Sequence, residues 1–112
     1  MTGFEPGNVI LAPFPFSDLS GVKKRPALVL AVAERLREMV CLMLTSLPGK
    51  GSLNHTVTGW QAAGLLKPTT ARLHRIFTID RALVLGKLGS IDAGKYEEIL
   101  AKVISLLKRG RF

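Results

Sequence analysis

Residues 21–34 limit what this chain can fold into more than any other stretch. They set a cationic turn, Gly21 with Lys23 and Lys24, against Pro26-Ala27-Leu28-Val29-Leu30-Ala31-Val32-Ala33, a run of small and β-branched apolar residues. Such a run, bounded by turn signals, reads as a buried strand over 26–33. Arg25 then stands at the mouth of a core strand. Pro26 fixes its own φ and biases Arg25 toward an extended backbone, so rigid main chain would hold the guanidinium where loop becomes sheet. That is a good position for a functional cation. The plainer alternative is a solvated hairpin tip of Lys23, Lys24 and Arg25.

The remaining segments read as short strands and one helix. Residues 8–16 are extended, but Pro13 and Pro15 cannot donate to a ladder, so the segment must become an edge or turn away after Ala12. Phe14 and Phe16 alternate onto one face, and 17–21 is loop chemistry that predicts a long, mobile hairpin connection. A charged turn at 35–38 leads to a third apolar strand over 39–44, ending at Thr45 and Ser46. Residues 47–52 are rich in breakers and predict an exposed loop. A weak strand over 54–58 and a turn over 59–64 follow, with Trp60 as an anchor that reads as packed rather than base-stacking. Over 69–79, Ala71, Leu73 and Ile76 point one way, while Arg72 and His74 share the other face. After a last short strand at 87–90, Tyr96, Ile99, Leu100, Val103, Ile104 and Leu107 recur at helical spacing, with Ser90 or Asp92 as cap and Gly110 past the end. Several short strands and one closing helix predict a mainly β, α+β domain over 1–112, a small and partly closed barrel.

Charge narrows the function. Sixteen Lys and Arg against eight Asp and Glu give a net charge of +8 on 112 residues, which points to a polyanion: nucleic acid first, an acidic protein second. The helix has too few cations on its polar face for a membrane-surface role, and no apolar stretch approaches the roughly 18 residues of a membrane span. Cys41, between Val40 and Leu42, reads as a core thiol in a reducing compartment. With no signal-peptide pattern at 1–8, the expected location is the cytoplasm.

One Cys and two distant His without a carboxylate cluster offer no metal-ligand spacing, and no cofactor fingerprint is present. Gly49-Lys50-Gly51-Ser52 resembles a fragment of a phosphate loop but lacks the upstream glycine and the following helix. Ser46, His74 and Asp80 make a triad only on paper. Phosphodiester chemistry on RNA asks for less, because the 2′-hydroxyl is the nucleophile and the site need supply only a base, an acid and cations for the developing charge. Arg25, Arg72, His74 and the Thr45 hydroxyl are of those types.

Gly7-Asn8-Val9-Ile10, Phe14-Pro15-Phe16, residues 21–30 with Arg25-Pro26-Ala27-Leu28-Val29-Leu30, and Leu44-Thr45-Ser46 together resemble the MazF/PemK family of toxin ribonucleases. Gly64-Leu65-Leu66-Lys67-Pro68, Phe77-Thr78-Ile79-Asp80 and the closing helix continue the likeness in order along nearly the whole chain. The resemblance implies an SH3-like barrel with a C-terminal helix, a homodimer, metal-independent cleavage of single-stranded RNA to a 2′,3′-cyclic phosphate, and inhibition by an acidic antitoxin.

It also implies roles. Arg25 matches an arginine used in proton transfer and phosphate stabilisation, and Thr45 a threonine that binds the scissile phosphate. Arg72 matches an arginine serving as acid or phosphate clamp. His74 falls where such members carry a carboxylate, which leaves two options for the base: His74 itself, or Arg25 with His74 only binding. Phe77 replaces an arginine common before Thr-Ile-Asp, implying altered RNA contacts. Lys23, Lys24, Ser46, Lys50 and Arg75 are the expected RNA-binding residues. A non-catalytic barrel that binds nucleic acid or protein, including gyrase-poisoning relatives of the same fold, is the alternative, because fold does not fix function.

Overall fold

The computed structural model describes residues 2–14 and 23–112. The expectations for Pro15, Phe16 and the loop at 17–21 lie outside the described residues. The strands are β1 (Asn8–Phe14), β2 (Lys23–Ala33), β3 (Glu38–Thr45), β4 (Asn54–Val57), β5 (Thr69–Asp80) and β6 (Gly86–Ser90), followed by one helix, α1 (Ala93–Arg109). They form one antiparallel sheet in the order β4-β5-β3-β2-β1-β6.

The start of β2 differs from the sequence reading by more than one residue, for a local reason. β2 begins at Lys23 rather than Pro26, because Lys23, Lys24 and Arg25 pair with Phe14, Pro13 and Ala12 of β1. Lys23 and Lys24 are therefore strand residues, not turn residues, and Arg25 lies inside the strand. Pro13 is tolerated where the β6 ladder has stopped, since β6 pairs only from Asn8 to Leu11. In α1 the Asp92 carboxylate accepts from the Gly94 and Lys95 N–H groups, and Gly110 closes the helix in the left-handed region at φ 71°. The inward positions are Ile99, Val103 and Leu106, whereas Leu107, expected inside, is 59% exposed, and Ile104 is 43% exposed. A helix apolar at 99, 100, 103, 104, 106 and 107 offers two overlapping stripes, and packing selects one of them.

Alternation along the strands makes a core on each face of the sheet. Val9, Leu28, Leu30, Leu42, Leu44, Ala71 and Leu73 meet the helix residues Ile99, Val103 and Leu106, with Trp60 packed against this cluster as the sequence suggests. Tyr96 fastens the helix by donating its hydroxyl to the Leu30 carbonyl at 2.7 Å. On the other face Ile10, Ala12, Phe14, Ala27, Val29, Met39, Cys41 and Ile79 pack with Phe4. The unbroken burial from Ala27 to Leu30 follows from having a core on both sides. Burial pushes the Cys41 thiol up to about 12, so it behaves as a core group and not as a nucleophile.

The barrel is not closed. Edge strands β4 and β6 do not pair with each other; instead Ala63 and Gly64, in the turn after β4, lie against Leu88 and Gly89 of β6, backbone to backbone.

A cationic groove across three strands

β2 and β3 pair in simple register from Ala27 opposite Met43. Continuing that register sets Arg25 across from Thr45, on the face turned away from the helix. β5 borders β3 on the other side, and there the ladder is irregular: Leu42 pairs with Ile76, but Leu44 pairs with Ala71. Two steps along β3 thus correspond to five along β5, and residues 72–75 bulge. A bulge re-aims side chains, and this one changes the phase of the strand. Ala71 before it and Leu73 within it face the helix, while Phe77 and Ile79 after it face the opposite core. His74 and Arg75, neighbours in sequence, consequently line the same cavity.

That cavity is a groove of about 320 Å³ lined by Lys23, Arg25, Met43, Thr45, Leu47, Arg72, His74 and Arg75. All four residues expected to be catalytic are in it, with Lys23 and Arg75 of the expected RNA-binding set. No carboxylate is among the described lining residues. Lys24, Ser46 and Lys50 do not line it. Lys24 alternates away from Lys23 and Arg25, while Ser46 and Lys50 are exposed on the loop after β3. The Lys50 carbonyl accepts from the Asn54 side-chain amide at 2.6 Å, and the Asn54 side-chain oxygen accepts from Arg72 Nη1 at 3.0 Å. Asn54 therefore aims Arg72, a link that the sequence pattern had no way to show.

The Thr45 side chain is 1% exposed, and its hydroxyl accepts from the Leu47 N–H at 3.1 Å, which leaves its own hydrogen to donate. Arg25 Nε and His74 Nδ1 are buried without a hydrogen-bond partner among the described residues. Buried polar atoms left unmet are costly, and two of them in one groove mark where a ligand's polar atoms belong. His74 is held below its ordinary imidazole value, first by burial and then by the positive charges of Arg75 and Arg72. The direction matches the expectation from Arg72, but desolvation is the larger cause.

The paper triad separates. Asp80 accepts from the Ala82 N–H at 2.7 Å and caps the short turn at Arg81–Leu83 instead of serving His74. A second cavity of about 230 Å³ shares Met43, His74 and Arg75 with the groove and adds Phe14, Ile76 and Phe77. Phe77 meets Phe14 edge to face at 4.7 Å. Sequence reasoning also passed over Phe112, whose ring centroid lies 6.1 Å from that of His74. Among the described residues no three His, Cys, Asp or Glu side chains are grouped to hold a metal ion, and no helix is long and apolar enough to cross a membrane.

Residues 5–107 match the family model for the PemK-like, MazF-like toxin of type II toxin-antitoxin systems. A comparison with curated proteins returned no significant match. Among solved structures, the MazE-MazF complex of Deinococcus radiodurans aligns with a TM-score of 0.73 at 22% identity, covering 94% of this chain and 96% of that one. An endoribonuclease in complex with its cognate antitoxin, from a mycobacterial species, aligns at 0.74 and 15% identity over 95% and 96%. The Mycobacterium tuberculosis toxin MazF-mt6 aligns at 0.73 and 15% identity over 90% and 96%. At such identities the likeness is one of fold.

Proposed function

The chain belongs to the PemK-like, MazF-like family of type II toxin-antitoxin toxins, and we propose that it is an endoribonuclease that cleaves single-stranded RNA without a metal, using the groove across β2, β3 and β5. The observation that carries this reading is the convergence of Lys23, Arg25, Arg72 and Arg75 around Thr45 and His74 in one cavity. Such a lining attracts a phosphodiester and stabilises charge that grows on it. The fold neighbours described as an endoribonuclease and as toxins support the same chemistry.

In the proposed reaction neutral His74 takes the proton of the 2′-hydroxyl, and the 2′-oxygen attacks phosphorus. Arg25 and Arg72 hold the phosphorane, Arg25 through its Nε–H, which has no partner among the described residues, and Arg72 in the orientation set by Asn54. Thr45 donates to a phosphate oxygen from the groove floor. The bond from phosphorus to the 5′-oxygen breaks, that oxygen takes a proton from water, protonated His74 releases its proton to solvent, and a 2′,3′-cyclic phosphate and a 5′-hydroxyl remain. His74 suits the base role because its lowered proton affinity keeps it unprotonated at neutral pH.

One of the fold neighbours above is an endoribonuclease in complex with its cognate antitoxin, and another is a MazE-MazF complex. We infer that an acidic antitoxin segment enters the same cationic groove, that the chain works as a homodimer, and that it acts in the cytoplasm, where messenger RNA is found. Incubation of the purified protein with single-stranded RNA in EDTA tests the central claim. Cyclic-phosphate ends are expected, whereas RNA that is bound and left intact would assign the groove to a binding protein instead. An acidic antitoxin peptide should compete with RNA, and its association should slow steeply as salt rises.

A further inference from the structure

We propose that Phe112 is a stacking platform for one base of the bound RNA, a substrate-binding residue contributed from outside the sheet. The inference rests on the RNA-cleaving reading above. Gly110, in the left-handed region, ends α1 and turns the chain. Arg109, just before it, lines a cavity with Gly51, Ser52, Asn54 and Leu73, so the helix end sits beside the strand pair that carries Arg72 and His74. Two residues past the turn, the Phe112 ring stands 6.1 Å from the His74 ring and is tilted by 55°.

A tilted contact of this kind is not a stack, and the residue remains 65% exposed. Phe112 is in neither cavity lining, so it stands beside the groove rather than plugging it. Isolated exposed apolar residues are ordinary on protein surfaces. This one is set apart by its place against the imidazole of a groove that gathers phosphate-binding cations. Single-stranded nucleic acids bind by this combination, cations along the backbone and an aromatic face for a base. Arg109 and Arg111, on either side of the turn, add charge for the flanking phosphates.

The test uses a single-stranded RNA oligonucleotide that the wild-type protein cleaves, and the same oligonucleotide with one abasic nucleotide placed in turn at each position around the cut. Phe112→Ala should raise KM about tenfold with kcat within about twofold, and Phe112→Trp should restore KM. At one position the abasic substitution should weaken wild-type binding by a similar factor yet cost Phe112→Ala nothing more. An unchanged or lowered KM in Phe112→Ala, or losses that multiply at every abasic position, would overturn the assignment. Wild-type protein that neither binds nor cleaves any RNA would instead overturn the reading on which it rests.

Discussion

Strands β2, β3 and β5 have two ends that differ sharply on the same face. At one end Val29, Cys41 and Ile79 are sealed in an apolar core. At the other, Lys23, Arg25, Thr45, Arg72 and His74 surround a groove. Most of the groove obeys the two-residue alternation that builds the core, which is why Arg25 and Thr45 continue the line of Ala27, Val29, Cys41 and Met43. The difference lies in β5, where the bulge at 72–75 gathers one more cation than a regular strand could present. Apolar alternation at the core end makes stability, even across the register shift between Val29 and Ala31 of β2; the larger slip in β5 completes the site.

This contrast can be broken at either end. At the core end, Leu42→Ala removes a fully buried side chain packed beneath the helix and should cost about 2–5 kcal/mol of unfolding free energy, read from denaturant melts. At the groove end, Arg25→Ala should lose about 3 kcal/mol of transition-state stabilisation, on the order of a hundredfold in kcat/KM, with little change in melting temperature. Full cleavage by a folded Arg25→Ala protein would remove it from the site.

His74→Ala should slow cleavage by about a hundredfold, at the low end of general-base effects. It should also change the shape of the pH profile. The folded His74 binds its proton less readily than an ordinary imidazole, so the active neutral form grows as pH rises through an apparent pKa below about 6.5. Wild-type activity should therefore climb with pH in that range and then level, and the variant should lack the climb. An unchanged profile in an active variant would leave His74 as a binding residue. The same direction governs stability: below about 6.5 the unfolded chain takes up the proton more readily, so His74, together with the similarly lowered His55, should weaken folding as pH falls.

The smallest effect sharpens the comparison. Asn54→Ala frees Arg72 and the Lys50 carbonyl without touching the groove floor and should cost about 1 kcal/mol in kcat/KM, roughly fivefold, and less than that in stability because the Lys50 bond is exposed. A loss of stability larger than the loss of activity would mean that Asn54 serves the fold rather than the site.

Much of this was legible in the residues, because alternation and breakers are local. The strands, a cap at Ser90 or Asp92 and Gly110 as terminator could be read that way, and Arg25, Thr45, Arg72 and His74 by family resemblance. The start of β2 was not, because Lys23 and Lys24 look like turn residues until β1 is there to pair with them. Nor was the inward side of α1, since Leu106 and Leu107 are equally apolar. The bulge left one trace: Leu73 and Ile76 are three residues apart where an alternating strand would place them two or four apart. Spacing shows that the phase slips, but only the register with β3 shows that His74 and Arg75 gain a shared wall. The roles of Asn54 and Phe112 depend on contacts between segments far apart in sequence.

The meeting of Gly64 with Gly89 has a consequence for which sequences this architecture can tolerate. A methyl group on Gly64 would overlap the Leu88 carbonyl, and one on Gly89 the Ala63 carbonyl. Gly64 also needs φ at +86°, which side chains resist. A strand edge left uncovered invites pairing with another chain. Here the two glycines let a loop lie flat along the β6 edge as a seal, so drift at either position would first be felt as association beyond the dimer, before any loss of the groove's chemistry.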